Sequence, residues 1–149
     1  MFMHPINILT GHQGKADNDQ EMQTYRGSCH CGRVQFEIRT ELTRVSECNC
    51  SICTRKGYLH HMVPPDRFQL VQGVEALATY QFGTGRALHH FCRYCGVASF
   101  YRPRANPANY MINARCLEGV DLDSLERVRF DGLSWEARPD APYTGIWKV

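Results

Sequence analysis

The chain has 149 residues, 43% hydrophobic and 21% charged, which is the composition of a globular protein with a single core. Its formal net charge of +2 is not gathered into a basic block, so composition gives little support to a nucleic-acid partner. No apolar run approaches the roughly 18 residues of a membrane span, and the first residues lack a signal-peptide pattern, so we expect a cytoplasmic protein without a membrane partner.

Residues 1–21 are predicted to form a polar tail, and residues 22–149 a single domain. The stretch GHQGKADNDQ at 11–20 shows neither helical nor strand periodicity. Recognisable patterns begin only after Met22. A tail is therefore expected rather than a separate element.

The domain is predicted to be a series of short strands. In VQFEIRT, Val34, Phe36 and Ile38 alternate with polar residues, the pattern of a half-buried strand. Further strand candidates lie at 76–82, within 89–103, at 109–117 and at 127–132. Helix is scarce, and one short helix is predicted at 121–128 with Asp121 as its N-cap. The expected fold class is mainly β, with short strands tied together by metal.

Seven of the eight cysteines fall into three tight groups, and Cys116 stands alone. The groups are C-x-C (Cys29, Cys31), C-x-C-x-x-C (Cys48, Cys50, Cys53) and C-x-x-C (Cys92, Cys95). Thiols clustered in this way in a reducing compartment are more often metal ligands than disulfide partners. The spacing therefore predicts metal binding.

The C-x-C and C-x-x-C pairs are expected to share one structural zinc ion. Zinc takes four ligands in a tetrahedron, and two local pairs from distant parts of a chain supply them. Gly32 and Gly96 follow the pairs and allow the tight turns that such ligands need. An iron–sulfur site is an alternative, because four thiolates also bind iron. A redox C-x-x-C would require a thioredoxin-type βαβ setting, which the chain does not show.

The remaining group offers three ligands, which is the number that a catalytic zinc site provides while it keeps one position open. The alternative is a second closed site. Its fourth ligand would be Cys116 or one of four histidines, namely His60, His61, His89 and His90. His30, between two ligands of the other site, is not expected to bind metal. Two zinc ions per chain are predicted in either case.

Basic residues near the cysteines have two interpretations. They offset the negative charge of thiolate-bound zinc, or they bind the carboxylates of an anionic substrate. Arg55 and Lys56 directly follow the three-cysteine group, and Arg86 precedes the C-x-x-C pair. These three are predicted to bind substrate.

Four motifs in this order resemble the glutathione-dependent formaldehyde-activating enzyme family, which also contains centromere protein V. They are GSCHCGRVQFEI, CNCSICTRKG, YQFGTGRALHHFCRYCGV and FDGLSWE, and the resemblance covers about residues 23–136. It implies an Mss4-like fold, tied by zinc. It also implies a structural zinc on Cys29, Cys31, Cys92 and Cys95, and a second, glutathione-associated zinc on the catalytic cysteines Cys48, Cys50 and Cys53.

The activity implied by the resemblance is the condensation of formaldehyde with glutathione to S-hydroxymethylglutathione, a carbon–sulfur lyase reaction. A small thiol such as glutathione and an aldehyde would be the partners. A histidine or water would move the proton, and His60, His61 and His90 are the candidate histidines. The alternative is a non-enzymatic zinc module that binds a protein or nucleic acid, because a fold does not determine a function.

Overall fold

The computed structural model describes residues 22–149, and the tail expected at 1–21 lies outside this range. Within it the fold is mainly β, with ten strands and two short α-helices, which confirms the predicted class. The strands are β1 (Gln23–Ser28), β2 (Gln35–Thr40), β3 (Arg44–Cys48), β4 (His60–Val63), β5 (Phe68–Gln72), β6 (Leu77–Tyr80), β7 (His89–Cys92), β8 (Phe100–Tyr101), β9 (Tyr110–Asn113) and β10 (Glu126–Phe130). The helices are α1 (Ser51–Lys56) and α2 (Gly132–Glu136). None of the helices in this range is long and apolar enough to cross a membrane.

The strands form three sheets. β1, β2 and β5 make an antiparallel sheet, β6 pairs with β7, and the largest sheet has the order β10-β3-β4-β9-β8. In the largest sheet β10 runs parallel to β3, with Glu126 opposite Arg44 and Phe130 opposite Cys48. Parallel strands end at the same edge of a sheet, so the segments that follow Cys48 and Phe130 meet there.

The alternation predicted for VQFEIRT is confirmed. Val34, Phe36 and Ile38 are all buried, while the residues between them are exposed or half-buried. The Phe36 ring packs against Phe68 and Phe100, with ring centroids 5.7 and 5.6 Å away. The apolar face of β2 therefore forms the centre of the main core.

The prediction of a helix at 121–128 is wrong. Leu122–Ser124 form a single 3-10 turn, and the Asp121 side chain caps it by accepting a hydrogen bond from the Asp123 N–H at 3.1 Å. The chain then extends into β10, because residues 126–130 gain a ladder of hydrogen bonds by pairing with β3. Tertiary pairing of this kind overrides a weak helical propensity.

Candidate metal centres and their cavity

Seven of the eight described cysteines gather into two groups, as their spacing predicted. In the first group the Sγ atoms of Cys29, Cys31, Cys92 and Cys95 lie within 4.8 Å of one another. Cys31 Sγ is 3.6 Å from the Sγ atoms of both Cys29 and Cys92. A tetrahedron with Zn–S bonds of about 2.3 Å has edges of about 3.8 Å, so these four sulfurs fit a zinc ion.

Two turns of similar shape present the four sulfurs. Gly32 ends the first turn with φ 78°, and Gly96 ends the second with φ 77°. The Gly32 N–H donates to the Cys29 carbonyl at 3.3 Å, and the Gly96 N–H donates to the Cys92 carbonyl at 2.8 Å. Glycine adopts a positive φ without the steric cost that other residues have. The expected glycine turns are therefore confirmed.

The second group lies at the edge where β3 ends. Cys48 is the last residue of β3, Cys50 is the N-cap of α1, and Cys53 lies inside that helix. The Cys50 Sγ accepts a hydrogen bond from the Cys53 N–H at 3.5 Å, and the three sulfurs lie within 4.8 Å of one another. α1 was not predicted, because six residues are too few to show a helical period.

In the second group the ionisation of one thiol is favoured and that of the other two is opposed. Hydrogen bonds from the Cys48 and Cys53 thiols lower the pKa of Cys50 to about 2, while the hydrogen bond with Cys50 raises that of Cys48 to about 11. The pKa of Cys53 is raised by its hydrogen bonds to Cys48 and Cys50 and by burial. A divalent cation offsets most of the negative charge of three thiolates and so favours the ionised form of all three. The donor set therefore fits zinc.

No fourth cysteine, histidine or carboxylate from residues 22–149 joins the second group within the same 4.8 Å. Cys116, one of the candidates for the fourth ligand of the second group, lies close enough to the first group for its pKa to be shifted by the charges there. Burial and the charges of Cys29 and Cys95 raise the pKa of Cys116 to about 11. The described residues thus supply three ligands to the second group and four to the first.

Two of the candidate histidines hold strands together. His61 Nε2 lies 2.8 Å from Thr40 Oγ1, and its Nδ1 lies 3.2 Å from a backbone carbonyl. His90 Nδ1 lies 2.8 Å from Thr79 Oγ1. Of the three histidines considered for proton transfer, His60 is the one that shares a cavity with the second group.

That cavity has a volume of about 190 Å³. All three cysteines of the second group line it, together with His60 and His89. Six aromatic residues also line it, namely Phe82, Tyr101, Phe130, Trp135, Tyr143 and Trp147. The second group therefore lines a partly open, largely apolar space, which we call the aromatic cavity.

His60 lines the aromatic cavity and carries an unpartnered nitrogen. Its side chain is buried, and Nδ1 lies 3.1 Å from the Tyr101 hydroxyl. Nε2 is buried and has no hydrogen-bond partner among the residues that the structure describes. Burial lowers the pKa of His60 to about 4, so the ring is neutral near pH 7. When the Tyr101 hydroxyl donates to Nδ1, Nε2 carries the ring proton and can donate it.

Hydrogen bonds fasten α2 to the segment that carries the second group. The Asn49 side chain donates to Asp131 Oδ1 at 3.1 Å and accepts from the Leu133 N–H at 2.8 Å. The Glu136 carboxylate accepts from the Ser51 N–H at 3.1 Å and from the Ser51 hydroxyl. The C-terminal segment is thereby held against the cysteines that begin α1.

The three basic residues predicted to bind substrate lie outside the lining of the aromatic cavity. Arg55 and Lys56 are exposed at the end of α1, and Arg55 Nη1 donates to the Ser51 carbonyl at 2.8 Å. Arg86 is exposed and lines an adjoining groove, which Asp140 also lines. Substrate binding by these residues stays a prediction.

Sequence reasoning missed the aromatic wall of the cavity. Phe130 and Trp135 lie in the motif FDGLSWE, and Tyr143 and Trp147 follow it, but neither the motif nor its flanks indicated that these rings line a cavity. The Trp147 Nε1–H donates to Ser46 Oγ at 3.0 Å, and the Trp135 Nε1–H donates to the Ala141 carbonyl at 2.9 Å. The density of aromatic residues near the C terminus was the one available signal, and it does not show what the rings contact.

Comparison with known proteins agrees with this geometry. A crystal structure of a Rhodobacter sphaeroides protein, a structural genomics target, is 36% identical to this chain with a TM-score of 0.62. The match covers 69% of this chain and 99% of that one. The family described as glutathione-dependent formaldehyde-activating enzyme matches residues 24–129, which include all seven cysteines of the two groups. The chain therefore belongs to the glutathione-dependent formaldehyde-activating enzyme family.

Proposed function

We propose that the protein catalyses the reversible addition of a thiol to an aldehyde as a carbon–sulfur lyase, with glutathione and formaldehyde as the reference pair. One observation carries this proposal: three convergent thiols face a cavity, without a fourth protein ligand among residues 22–149. Zinc takes four ligands, so this set leaves one position for a substrate. Zinc in both cysteine groups, and hence two ions per chain, is part of the proposal. Reduced thiols suit a reducing compartment, and the cytoplasm is the proposed location.

The reaction needs a reactive sulfur and a polarised carbonyl. Zinc held by Cys48, Cys50 and Cys53 would favour the thiolate form of a bound substrate thiol. The sulfur–carbon bond forms, the π electrons of the carbonyl move to oxygen, and that oxygen takes up the proton that the thiol gave up. In the reverse direction the same bond breaks and the proton returns to sulfur.

His60 is proposed to assist at the carbonyl oxygen. Its Nε2 is buried without a partner among the described residues, and a carbonyl oxygen would supply the missing acceptor. A donor aimed at this oxygen stabilises the negative charge that develops there during the addition. The Tyr101 hydroxyl, 3.1 Å from Nδ1, keeps the ring in the tautomer that donates from Nε2.

The groove that adjoins the aromatic cavity suits the peptide part of glutathione. Arg86 and Asp140 line this groove and offer one positive and one negative side chain. The amino-acid end of glutathione carries one carboxylate and one ammonium group, so both charges can be paired. Arg55 and Lys56 are proposed to contact the second carboxylate from the end of α1.

The test is a measurement of exchange between formaldehyde and its glutathione adduct by NMR, compared with the spontaneous rate. Zinc-loaded wild-type protein should accelerate the exchange. His60→Phe should lower kcat by about 100-fold, the loss typical of one donor to a developing oxyanion. Leu133→Ala, an exposed position on α2, is the matched control and should keep full activity. Absence of acceleration by the zinc-loaded wild type would favour the non-enzymatic zinc module instead.

A further inference from the structure

The aromatic cavity is larger than a one-carbon aldehyde needs. Its volume is about 190 Å³. A water molecule occupies about 30 Å³ of liquid, and an apolar cavity of about 150 Å³ is enough to bind benzene. Formaldehyde and the CH2–SH group of a bound thiol together would leave space in this cavity that a ring or a branched chain can occupy.

The charged side chains on the cavity wall are already engaged with the protein. Arg104 donates to the carbonyls of Trp135, Arg138 and Pro139 at 3.1, 2.9 and 2.8 Å, and its guanidinium lies 3.9 Å from the Trp135 ring centroid. The Glu136 carboxylate accepts two hydrogen bonds from the start of α1. Among the described residues that line this wall, no charged side chain is left for an ionic substrate group. The wall therefore selects an apolar group.

Four rings of this wall lie beyond the part of the chain that the family matches. The match ends at residue 129, whereas Phe130, Trp135, Tyr143 and Trp147 all line the cavity. The Phe130 centroid is 5.8 Å from that of Trp135 and 5.2 Å from that of Tyr143, so the rings form one packed surface. Four of the six rings of the wall thus lie beyond the matched region, and two of these, Phe130 and Trp135, belong to the motif FDGLSWE.

We propose that the aldehyde substrate of this site carries an apolar substituent, a ring or branched chain of about five to seven carbons. The aromatic wall would hold the substituent, with the carbonyl carbon facing the second cysteine group and the carbonyl oxygen facing His60 Nε2. This inference rests on the proposed thiol addition and specifies its aldehyde. The addition forms one carbon–sulfur bond, transfers the thiol proton to oxygen and leaves the substituent unchanged, so it needs no oxidant or reductant.

Tryptophan fluorescence provides a test of binding that does not depend on activity. The sequence has two tryptophans, and both Trp135 and Trp147 line the cavity. Zinc-loaded wild-type protein is titrated with straight-chain aldehydes of one to six carbons and with cyclohexanecarboxaldehyde, in the absence of glutathione. Burial of one methylene contributes about 0.8 kcal/mol, so Kd should fall about fourfold with each added carbon. A Kd that does not change with chain length overturns the proposal.

A cavity-filling variant and a matched control locate the binding. Ala87→Phe places a ring in the aromatic cavity and should weaken binding of cyclohexanecarboxaldehyde at least tenfold. Leu133→Ala removes an exposed side chain outside the cavity and should bind like the wild type. Leu133→Ala also keeps every lysine, so any signal from the reaction of aldehyde with amines outside the cavity is the same in this variant and in the wild type. Unchanged binding of the ring aldehyde by folded Ala87→Phe overturns the proposal.

Turnover separates this inference from the proposed function. With glutathione as the thiol, the wild type should show a higher kcat/KM for cyclohexanecarboxaldehyde than for formaldehyde. If formaldehyde is accelerated and the larger aldehydes are not, the apolar substituent is refuted while thiol addition stands. If no aldehyde is accelerated, both the proposed function and the inference are refuted.

Discussion

Gly132, the first residue of α2, lies against the second cysteine group, and its replacement by alanine tests whether this packing sets the metal geometry. A Cβ at this position would lie well inside 3.0 Å of Cys48 Sγ and 3.1 Å from Cys50 Cβ. The backbone itself accepts alanine, because Gly132 begins a helix and is not among the glycines with positive φ. Without the steric conflict, alanine would stabilise the protein by about 0.4–1 kcal/mol.

The steric conflict is the larger effect. Cys48 Sγ has to move by about 1 Å to regain an ordinary contact distance of about 3.5 Å. Metal–ligand distances tolerate deviations of only about 0.2 Å, so the displaced sulfur cannot remain a ligand. We expect metal affinity at the second group to fall by at least about 100-fold, the upper end of the loss caused by removing an outer-shell partner.

Zinc content after dialysis and competition with a chromophoric chelator measure this loss. Wild-type protein should retain two zinc ions per chain, and Gly132→Ala should retain one with an unchanged circular dichroism spectrum. Leu133→Ala, the neighbouring exposed position, controls for changes in α2 and should retain both ions. Two tightly held ions in Gly132→Ala would refute the reasoning that α2 fixes the position of Cys48.

Three further predictions concern folding, acid stability and substrate binding. Cys92→Ser should abolish cooperative unfolding, because structural zinc supplies folding free energy, whereas Cys50→Ser should stay folded and lose one zinc. Retention of both ions by Cys50→Ser would contradict the ligand assignment. Burial lowers the folded-state pKa of His61 from 6.5 to about 4, so between these values the unfolded chain binds more protons and stability is lost as pH falls. Between pH 7 and pH 5, His61 should lower the free energy of unfolding, measured with urea, by about 2 kcal/mol. This contribution should be absent in His61→Gln. An equal loss of unfolding free energy in the wild type and in His61→Gln would contradict this prediction. In steady-state kinetics, Arg86→Ala should raise KM for glutathione about tenfold at constant kcat. Arg26→Ala, at another exposed position, should leave KM unchanged. A fall in kcat alone in Arg86→Ala would contradict the prediction.

The grouping of the cysteines was predictable because ligand pairs sit on local turns. Gly32 and Gly96 mark those turns in the sequence, and each needs only a few neighbouring residues to form. The alternation in β2 was predictable for the same reason, since one strand carries its whole pattern. These features cover the first metal group and the β-rich class of the fold, and the second group was predictable because its three cysteines lie within residues 48–53.

The aromatic cavity was not predictable, because its walls come from segments far apart in the chain. Phe82 precedes β7, whereas Phe130 ends β10, and no local pattern brings the two together. The parallel pairing of β10 with β3 places Phe130 opposite Cys48, and because of the same pairing the segment predicted as a helix at 121–128 forms a turn and the start of a strand. The unpartnered nitrogen of His60 likewise became visible only once the surrounding atoms were placed.

The pairing of β3 with β10 also sets the order in which the protein can be completed during synthesis. β10 begins more than seventy residues after Cys53. At about 5–20 residues per second, the ribosome delivers β10 and α2 about 4 to 15 s after Cys53 has been made. During this interval the thiols of the second group lack the neighbours that later enclose them, so oxidants and competing metal ions can reach these sulfurs. Docking of the late strand therefore also reduces the chemical exposure of this group in the nascent chain.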